Sequence, residues 1–568
     1  MKNRFSVKVG GRSGQGINTL GEFLSKAIRN SGLVTFAYRE YPSIIKGGYA
    51  SYQIDVSSEP ISASQKHTDI LLCMTDQSFD KYVNTVAKNG VVIHSIKGLK
   101  ISEEDRRYIK RNRIKITYID AIGLAEKNDA PIIMANMVIL GLFWKVINLD
   151  LSILEKIVLD YFSRKKGVDL KAEKRCLKAG YESDLVKDIK LNNFPQEKRR
   201  NWQSSLILTG NDAIALGAVS AGCRGYYAYP MTPATSILSK LGSTYMETGI
   251  LVKQAESEIT AVQMVLGSMY MGTRAFTATA GGGYDLMSES ISFAGMAELP
   301  LVIVLAQRAG PATGVPTWTG ASDLSIALHA GHGEFPRCVL SASDASDAYE
   351  LIQNAFNIAE TYQLPVTLLT EKQISESLFN IKRLSEPQKI ERGLVRSAPK
   401  RYEITKNGIS PRWVPKKNKR TYLTNSDEHD EEGISVEDAP QVEEMSEKRM
   451  RKIDRLKKSI PEPKYYGHEE PTLVFVGMGS TKNAVIDAMP LTKKRLGYLH
   501  YKYIYPLRYE KILELNNDNV EIVLIENNQD GAFSKLIKEE ANFYIPNTFR
   551  KYDGRAFFVD DILEYIKS

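Results

Sequence analysis

The sequence predicts an α/β protein made of several doubly wound units, and three observations carry that expectation. First, a short apolar strand running into a glycine turn and then a helix recurs. It ends in Gly10-Gly11-Arg12-Ser13-Gly14-Gln15-Gly16, again in Gly281-Gly282-Gly283, and again in Gly477-Met478-Gly479-Ser480. Strand, tight turn and helix form the unit from which sheets with helices on both faces are assembled. Second, residues 300–306 are wholly apolar, the pattern of a strand buried on both faces. Third, 568 residues exceed what one core holds, so three or four domains are expected.

In chain order, residues 5–9 alternate as a strand and residues 18–30 follow as a helix. The turn between them offers backbone N–H groups and a helix N-terminus to an anion. Its spacing, G-x-x-G-x-G, is not the dinucleotide fingerprint G-x-G-x-x-G, and no Gly-Lys-Ser/Thr follows as in a P-loop. A tight structural turn and a phosphate or coenzyme cradle touching Gly14 and Gly16 both satisfy it. Glu40, just past the strand-like run 34–38, stands where a dinucleotide fold carries its ribose-binding acid. Tyr41-Pro42-Ser43-Ile44-Ile45-Lys46-Gly47-Gly48 holds Lys46 between a proline bend and two glycines. A surface lysine is the simpler reading there, and an anion or subunit contact the other. Further pieces at 69–73, 90–94 and 115–120 predict a parallel sheet. The basic run 99–115 is interrupted by Glu103, Glu104 and Asp105 and reads as a solvated helix face. The apolar run 130–146 is interrupted by Asn136 and reads as a buried helix, not a membrane span. Residues 184–203 are polar and charged, as in a linker.

A second αβ unit is expected from residue 204, opening with the strand Leu-Ile-Leu. It reaches Tyr229-Pro230-Met231-Thr232-Pro233, where the prolines hold Tyr229 and Met231 out of helical geometry. A helix-to-strand connector and a site are equally compatible with that bend taken alone. Residues 252–258 end a strand and open an apolar helix at Glu258. Residues 277–283 reach the second glycine turn, and residues 300–306 deliver Arg308. Open parallel sheets bind ligands at the carboxyl ends of their strands, and Thr232, Glu258, Gly281 and Arg308 all fall at such ends. From about 385 to 463 acidic and basic runs replace the apolar pattern, which composition alone reads as disorder. A third αβ unit begins near 471. The expected boundaries are 1–190, 204–384, 385–470 and 471–568.

Bulk composition excludes little. A net charge of +8 is mild for this length and demands no nucleic acid. Cys73, Cys176, Cys223 and Cys338 lie far apart with no C-x-x-C pair, which argues against a zinc or cluster site built by this chain alone and suits a reducing cytoplasm. The first residues form a strand entering a glycine turn, unlike a signal peptide.

The ordered set Y-P-M-T-P, Q-A-E-S-E-I-T-A, T-A-T-A-G-G-G, P-L-V-I-V-L-A-Q-R-A-G-P-A-T-G, H-G-E-F-P-R and S-D-E-H-D-E-E-G resembles the α subunit of the 2-oxoacid:ferredoxin oxidoreductases. G-G-R-S-G-Q-G and Y-P-S-I-I-K-G-G resemble the γ component of the same enzymes, fused in front as in the archaeal two-subunit form. The resemblance spans essentially the whole chain. It implies a γ-type domain over 1–190, a pyrimidine-binding domain over 204–384 and a transketolase C-terminal-like domain over 471–568, with the charged region between them ordered. Met231 stands where the family usually has Ile, an apolar, volume-conserving exchange expected to have little consequence; Ala309 and Ala312 stand where it often has Gly and Ser, which leaves substrate preference open.

The implied chemistry is thiamine diphosphate-dependent oxidative decarboxylation of a 2-oxoacid, pyruvate or 2-oxoglutarate among them, with coenzyme A and ferredoxin. Glu258 matches the family's glutamate against the aminopyrimidine; a helix N-terminal acid favoured by the dipole is the alternative. Glu256, two residues earlier, would face the other way. Arg308 matches the arginine that holds the substrate carboxylate, with a sheet-edge ion pair as the alternative. Thr232 matches the substrate-binding threonine. Tyr229, Pro230 and Gly281 are implied cofactor contacts, and Gly14, Gly16 and Lys46 a coenzyme A or anion loop. No Gly-Asp-Gly magnesium motif and no four-cysteine set occurs. The diphosphate end, Mg2+ and a [4Fe-4S] cluster are therefore expected on a separate β subunit, and the chain alone is expected to be inactive. No nucleic-acid or membrane partner is implied. Two rivals are a NAD-dependent dehydrogenase, which the glycine spacing opposes, and a non-catalytic coenzyme-binding or assembly subunit.

Overall fold

The computed structural model describes all residues except 1–3, 44–47, 190, 192, 416–420, 518–519 and 568. Lys46 therefore lies outside the described residues. Three sheets organise the molecule. No helix among the described residues is long and apolar enough to cross a membrane.

The first sheet has eight strands in the order Lys115–Tyr118, Val86–His94, Thr68–Cys73, Arg4–Arg12, Tyr49–Ser57, Val34–Glu40, Leu378–Ile381 and Leu206–Leu208. Only its first half is parallel, with Val7 opposite Ile70 and Val91 opposite Lys115. Tyr49–Ser57 pairs antiparallel with Arg4–Arg12 along nine residues, and Val34–Glu40 pairs antiparallel with it in turn. The expected all-parallel sheet is thus corrected to a mixed one. The strand Tyr49–Ser57 was not anticipated, and it occupies the place beside Arg4–Arg12 that a dinucleotide fold gives to its second parallel strand. Glu40 consequently faces inward. It is 7% exposed and accepts hydrogen bonds from the hydroxyls of Tyr82 at 2.9 Å and Ser51 at 3.3 Å, so its carboxylate is engaged within the sheet.

The apolar run at 130–146 becomes helix Ala135–Val146, buried from Ala135 through Trp144. It crosses helix Leu170–Glu182 at backbone contact. A Cβ on Gly141 would sit 2.0 Å from the Leu177 carbonyl oxygen, and one on Gly180 2.0 Å from that of Val138, so only glycine permits this crossing.

The strand expected to open the second unit, Leu206–Leu208, belongs instead to the first sheet. It is joined there through Leu378–Ile381, with Phe379 opposite both Leu208 and Phe36. The second sheet runs Tyr503–Tyr505, Cys338–Ser341, Pro365–Glu371, Leu301–Gln307, Ala275–Thr279, Gly225–Ala228 and Leu251–Gln254, with every pair parallel except the first. Leu301–Gln307 is buried at all seven positions. The third sheet orders Lys464–Gly467, Leu496–Tyr501, Leu473–Met478, Glu521–Glu526 and Thr548–Arg550, parallel apart from its first strand.

The charged region between the second and third sheets is held by buried ion pairs, which is why its composition reads falsely as disorder. Glu298, fully buried, accepts from Lys448 and forms an ion pair with Lys452, both also fully buried. Glu360, equally buried, meets Arg274 at 2.5 Å, Arg392 at 2.8 Å and Arg412 at 2.9 Å. Four cations of that region, Arg392, Arg412, Lys448 and Lys452, thus converge on two carboxylates of the second unit.

Candidate active site

Four adjacent parallel strands, Leu301–Gln307, Ala275–Thr279, Gly225–Ala228 and Leu251–Gln254, end at one edge of the second sheet. Their carboxyl ends lead into Arg308, the turn at Gly281, the bend at Tyr229–Pro233 and Glu258 respectively. Because neighbouring parallel strands point the same way, residues far apart in sequence converge there.

Glu258 opens helix Glu258–Tyr270, which Ser257 caps by accepting from the N–H of Thr260. It is 4% exposed, and its Oε1 has no hydrogen-bond partner among the described residues. A buried carboxylate oxygen left in that state is costly unless a ligand or another chain meets it. Glu256, by contrast, is exposed and accepts from the Thr260 hydroxyl at 2.9 Å; strand alternation would put the two glutamates on one face, and they part because the chain leaves the strand at Gln254 and bends before the helix opens at Glu258. The glycine turn packs directly on Glu258: a Cβ on Gly283 would stand 2.6 Å from Oε1, so a side chain there would displace the carboxylate. Gly282 borders open space. A Cβ on Gly281 would stand 2.9 Å from Asp323 Oδ2, which brings a second carboxyl against the same turn.

Asp323 is a residue that sequence reasoning missed. Its N–H donates to Gln307 Oε1 at 2.9 Å, at the end of the buried strand. Burial, aided by Asp285 and opposed by Ser322 and Arg308, pushes its carboxyl up to about 6. Nothing in its local sequence, Gly-Ala-Ser-Asp-Leu, marks it; only the return of the 310–323 loop to the strand end does.

Arg308 is 8% exposed. Its Nη1 donates to the Thr232 carbonyl at 2.8 Å and lies 3.6 Å from Met231 Sδ. Burial lowers its pKa, while Asp323 acts the other way. The bend thus orients the guanidinium through its backbone. The Thr232 hydroxyl makes no hydrogen bond among the described residues. Tyr229, 39% exposed, and the half-buried Pro230 lead into the bend. Close approaches therefore run from Glu258 through the glycine turn to Asp323, and from Arg308 to Thr232, with the charge of Asp323 acting on Arg308 between them.

Gly14 and Gly16 lie elsewhere, at the carboxyl end of Arg4–Arg12, both with left-handed backbone (φ 86° and 83°). The third glycine turn is occupied: the Ser480 N–H donates to Glu371 Oε1 at 2.9 Å, which docks the third unit on the second sheet beside Gln307.

Comparison with known proteins is consistent across methods. A family model described as pyruvate flavodoxin/ferredoxin oxidoreductase, thiamine diphosphate-binding, matches residues 216–448, and one described as pyruvate ferredoxin/flavodoxin oxidoreductase matches residues 6–183. The chain is 30% identical to the 2-oxoacid:ferredoxin oxidoreductase subunit alpha of a Sulfolobus species, over 99% of this chain and 96% of that protein. It is also 30% identical to subunit alpha of 2-oxoacid:ferredoxin oxidoreductase 1 of Sulfurisphaera tokodaii, over 99% and 97%. A solved structure of the Magnetococcus marinus 2-oxoglutarate:ferredoxin oxidoreductase, with 2-oxoglutarate, coenzyme A and succinyl-CoA bound, is 28% identical and superposes with a TM-score of 0.92, covering 100% of this chain and 99% of that one.

Proposed function

The chain belongs to the family of 2-oxoacid:ferredoxin oxidoreductase α subunits, and we propose that the strand edge bearing Glu258, Arg308 and Thr232 forms its half of the active site. The reaction converts a 2-oxoacid, coenzyme A and oxidised ferredoxin to an acyl-CoA, carbon dioxide and reduced ferredoxin, the two electrons of decarboxylation leaving through ferredoxin. Bound thiamine diphosphate would supply the nucleophilic carbon and the electron sink.

The residues fit that group. The observation that carries the reading is the unpartnered, buried Oε1 of Glu258 beside a glycine turn that gives way to open space at Gly282. Glu258 would hold a proton against the cofactor's aminopyrimidine, and Gly281 to Gly283 would let a ring approach the backbone, with Tyr229 and Pro230 at its flank. Arg308, held by the Thr232 carbonyl, would bind the substrate carboxylate through its remaining N–H groups, and the free Thr232 hydroxyl would donate to the ketone oxygen. The partner is a β subunit, to which we assign Mg2+ because this chain carries no Gly-Asp-Gly magnesium motif, and a [4Fe-4S] cluster because its cysteines are scattered. Gly14, Gly16 and Lys46 are the proposed contacts to coenzyme A.

The test is co-expression with the β subunit, followed by coenzyme A-dependent reduction of ferredoxin across a panel of 2-oxoacids that includes pyruvate and 2-oxoglutarate. Arg308→Ala should lower kcat/KM about a hundredfold or more, mostly through KM. Activity that survives Arg308→Ala would remove the carboxylate assignment and favour a non-catalytic role for this chain.

A further inference from the structure

Asp323 is not used by the local structure that places it. It stands at the N-cap of helix Leu324–His329, where an aspartate ordinarily caps, yet its carboxyl makes no cap hydrogen bond there. The loop that carries it is pinned from the third unit: the Ala321 N–H donates to the Asn527 carbonyl at 2.9 Å, and Asn528 Nδ2 donates to the Ala321 carbonyl at 3.1 Å. The Asp323 N–H donates to Gln307 Oε1 at the end of strand Leu301–Gln307. So fixed, the carboxyl lies over the neighbouring strand end, where a Cβ on Gly281 would meet its two oxygens at 2.9 and 3.1 Å. Among the described residues the carboxyl takes one hydrogen bond, from the Ser322 hydroxyl at 3.5 Å, and no ion pair.

Arg308 emerges beside it, from the residue after Gln307. Its Nη1 is spent on the Thr232 carbonyl and faces Met231 Sδ, and its other N–H groups have no acceptor among the described residues. The charge that acts on this guanidinium is that of Asp323. The groups facing the Asp323 carboxyl are few. Helix Gly281–Asp285 brings Asp285, the strand end brings Arg308, its own loop brings the Ser322 hydroxyl, and the third unit brings the neutral Asn527 and Asn528. Burial, aided by Asp285 and opposed by Ser322 and Arg308, pushes the carboxyl up to about 6. A carboxyl with no close partner and an arginine with donors to spare thus share one strand edge.

We propose that Asp323 is a positioning residue that governs substrate affinity through Arg308: its ionised carboxylate competes with the carboxylate of the 2-oxoacid for the guanidinium, so the substrate is held tightest when Asp323 carries a proton. A 2-oxoacid that binds beside charged Asp323 meets a like charge and an arginine already attracted elsewhere; protonation removes both obstacles. Binding therefore takes up a proton at Asp323, and affinity is full below about pH 6 and falls as pH rises through it. The proposal rests on the reading of Arg308 given above and adds to it a built-in competitor.

The experiment is steady-state kinetics of the enzyme reconstituted with its β subunit, on the 2-oxoacid it turns over fastest, from about pH 5.5 to about pH 8. KM of the parent should rise on the order of tenfold over that range, the factor that a displacement of one pKa unit at Asp323 produces. Asp323→Asn, of the same shape, should flatten that profile and lower KM at about pH 8 on the order of tenfold, the change falling on KM rather than kcat. Calorimetry reads the same event without turnover. Oxamate, which carries the same carboxylate, should bind the parent with uptake of about half a proton near pH 6.5, measured by comparing buffers of different ionisation enthalpy, and bind Asp323→Asn with none. An Asp323 that served packing alone would move neither the slope of KM with pH nor the proton count. Arg308→Ala keeps the two readings apart. If it leaves KM unchanged, the carboxylate assignment fails and this proposal with it. If it raises KM while Asp323→Asn keeps the parent's pH profile and proton uptake, the competition alone is overturned. A KM at about pH 8 that Asp323→Asn raises also overturns it, since Asp323 would then be holding Arg308 in place for the substrate.

Discussion

At the scale of single residues, the bend between strand Leu251–Gln254 and helix Glu258–Tyr270 divides two similar glutamates into different environments. Glu256 and Glu258 are two apart, one exposed on Thr260 and the other buried with an unmatched oxygen. Glu258→Gln in the reconstituted enzyme should lower kcat by about 10²–10⁴-fold with little change in the KM for the 2-oxoacid, as steady-state assay would read. Glu256→Gln should leave both within about twofold. Asp323 carries a pH signature. Its folded pKa, raised to about 6 from an ordinary 3.8, means that its contribution to stability is fully present below the ordinary value and lost as pH rises through about 6. Asp323→Asn should therefore stabilise the isolated chain by on the order of 2 kcal/mol at pH 8, and the gain should shrink as pH is lowered toward 4, measured by denaturant unfolding. Glu258 and Arg308 were legible because strand ends announce themselves by pattern. Asp323 was not, because its place depends on a loop folding back on Gln307.

Among elements, the 385–470 region shows how charge can mislead. Its lysines and arginines reach Glu298 and Glu360, carboxylates more than thirty residues away that no window of composition includes. Removing one partner from a buried pair leaves uncompensated charge, which costs about 3–5 kcal/mol. Glu360→Gln should lower unfolding free energy by that amount, and limited proteolysis should cut near Arg392 and Arg412 sooner than in the parent chain. An unchanged cleavage pattern would mean that the region is held chiefly by its aromatic cluster of Tyr402, Trp413 and Tyr422. Of the helices that cross at Gly141 and Gly180, the first was legible as an apolar run, but its partner and the contact were not, since the two glycines are marked only when the backbones meet.

For the whole molecule, the sheets do not respect the order of the chain. Leu206–Leu208 and Leu378–Ile381 complete the first sheet from the middle of the sequence, and Tyr503–Tyr505 completes the second from near its end. Phe379 packs on Phe36 with ring centroids 5.2 Å apart, and both belong to the same core as the helices of the second unit. Phe379→Ala should cost about 3–5 kcal/mol and speed amide exchange in Val34–Glu40 as well as in the second sheet, because one core serves both. Exchange that changes in only one of the two would show that the units unfold separately.

What the sequence determined by itself was local and periodic: strand, glycine turn and helix, the buried strand over 300–306, and the acid, bend and arginine that share one family's order. These follow from nearest-neighbour chemistry, which a chain carries wherever it folds. Only the tertiary structure decided the mixed first sheet, the exchange of strands between units, the carbonyl of Thr232 as the hold on Arg308, and the unpartnered oxygen of Glu258. Each of these depends on which distant segments meet, and pairing between distant segments is set by the burial of whole faces rather than by any short run of residues.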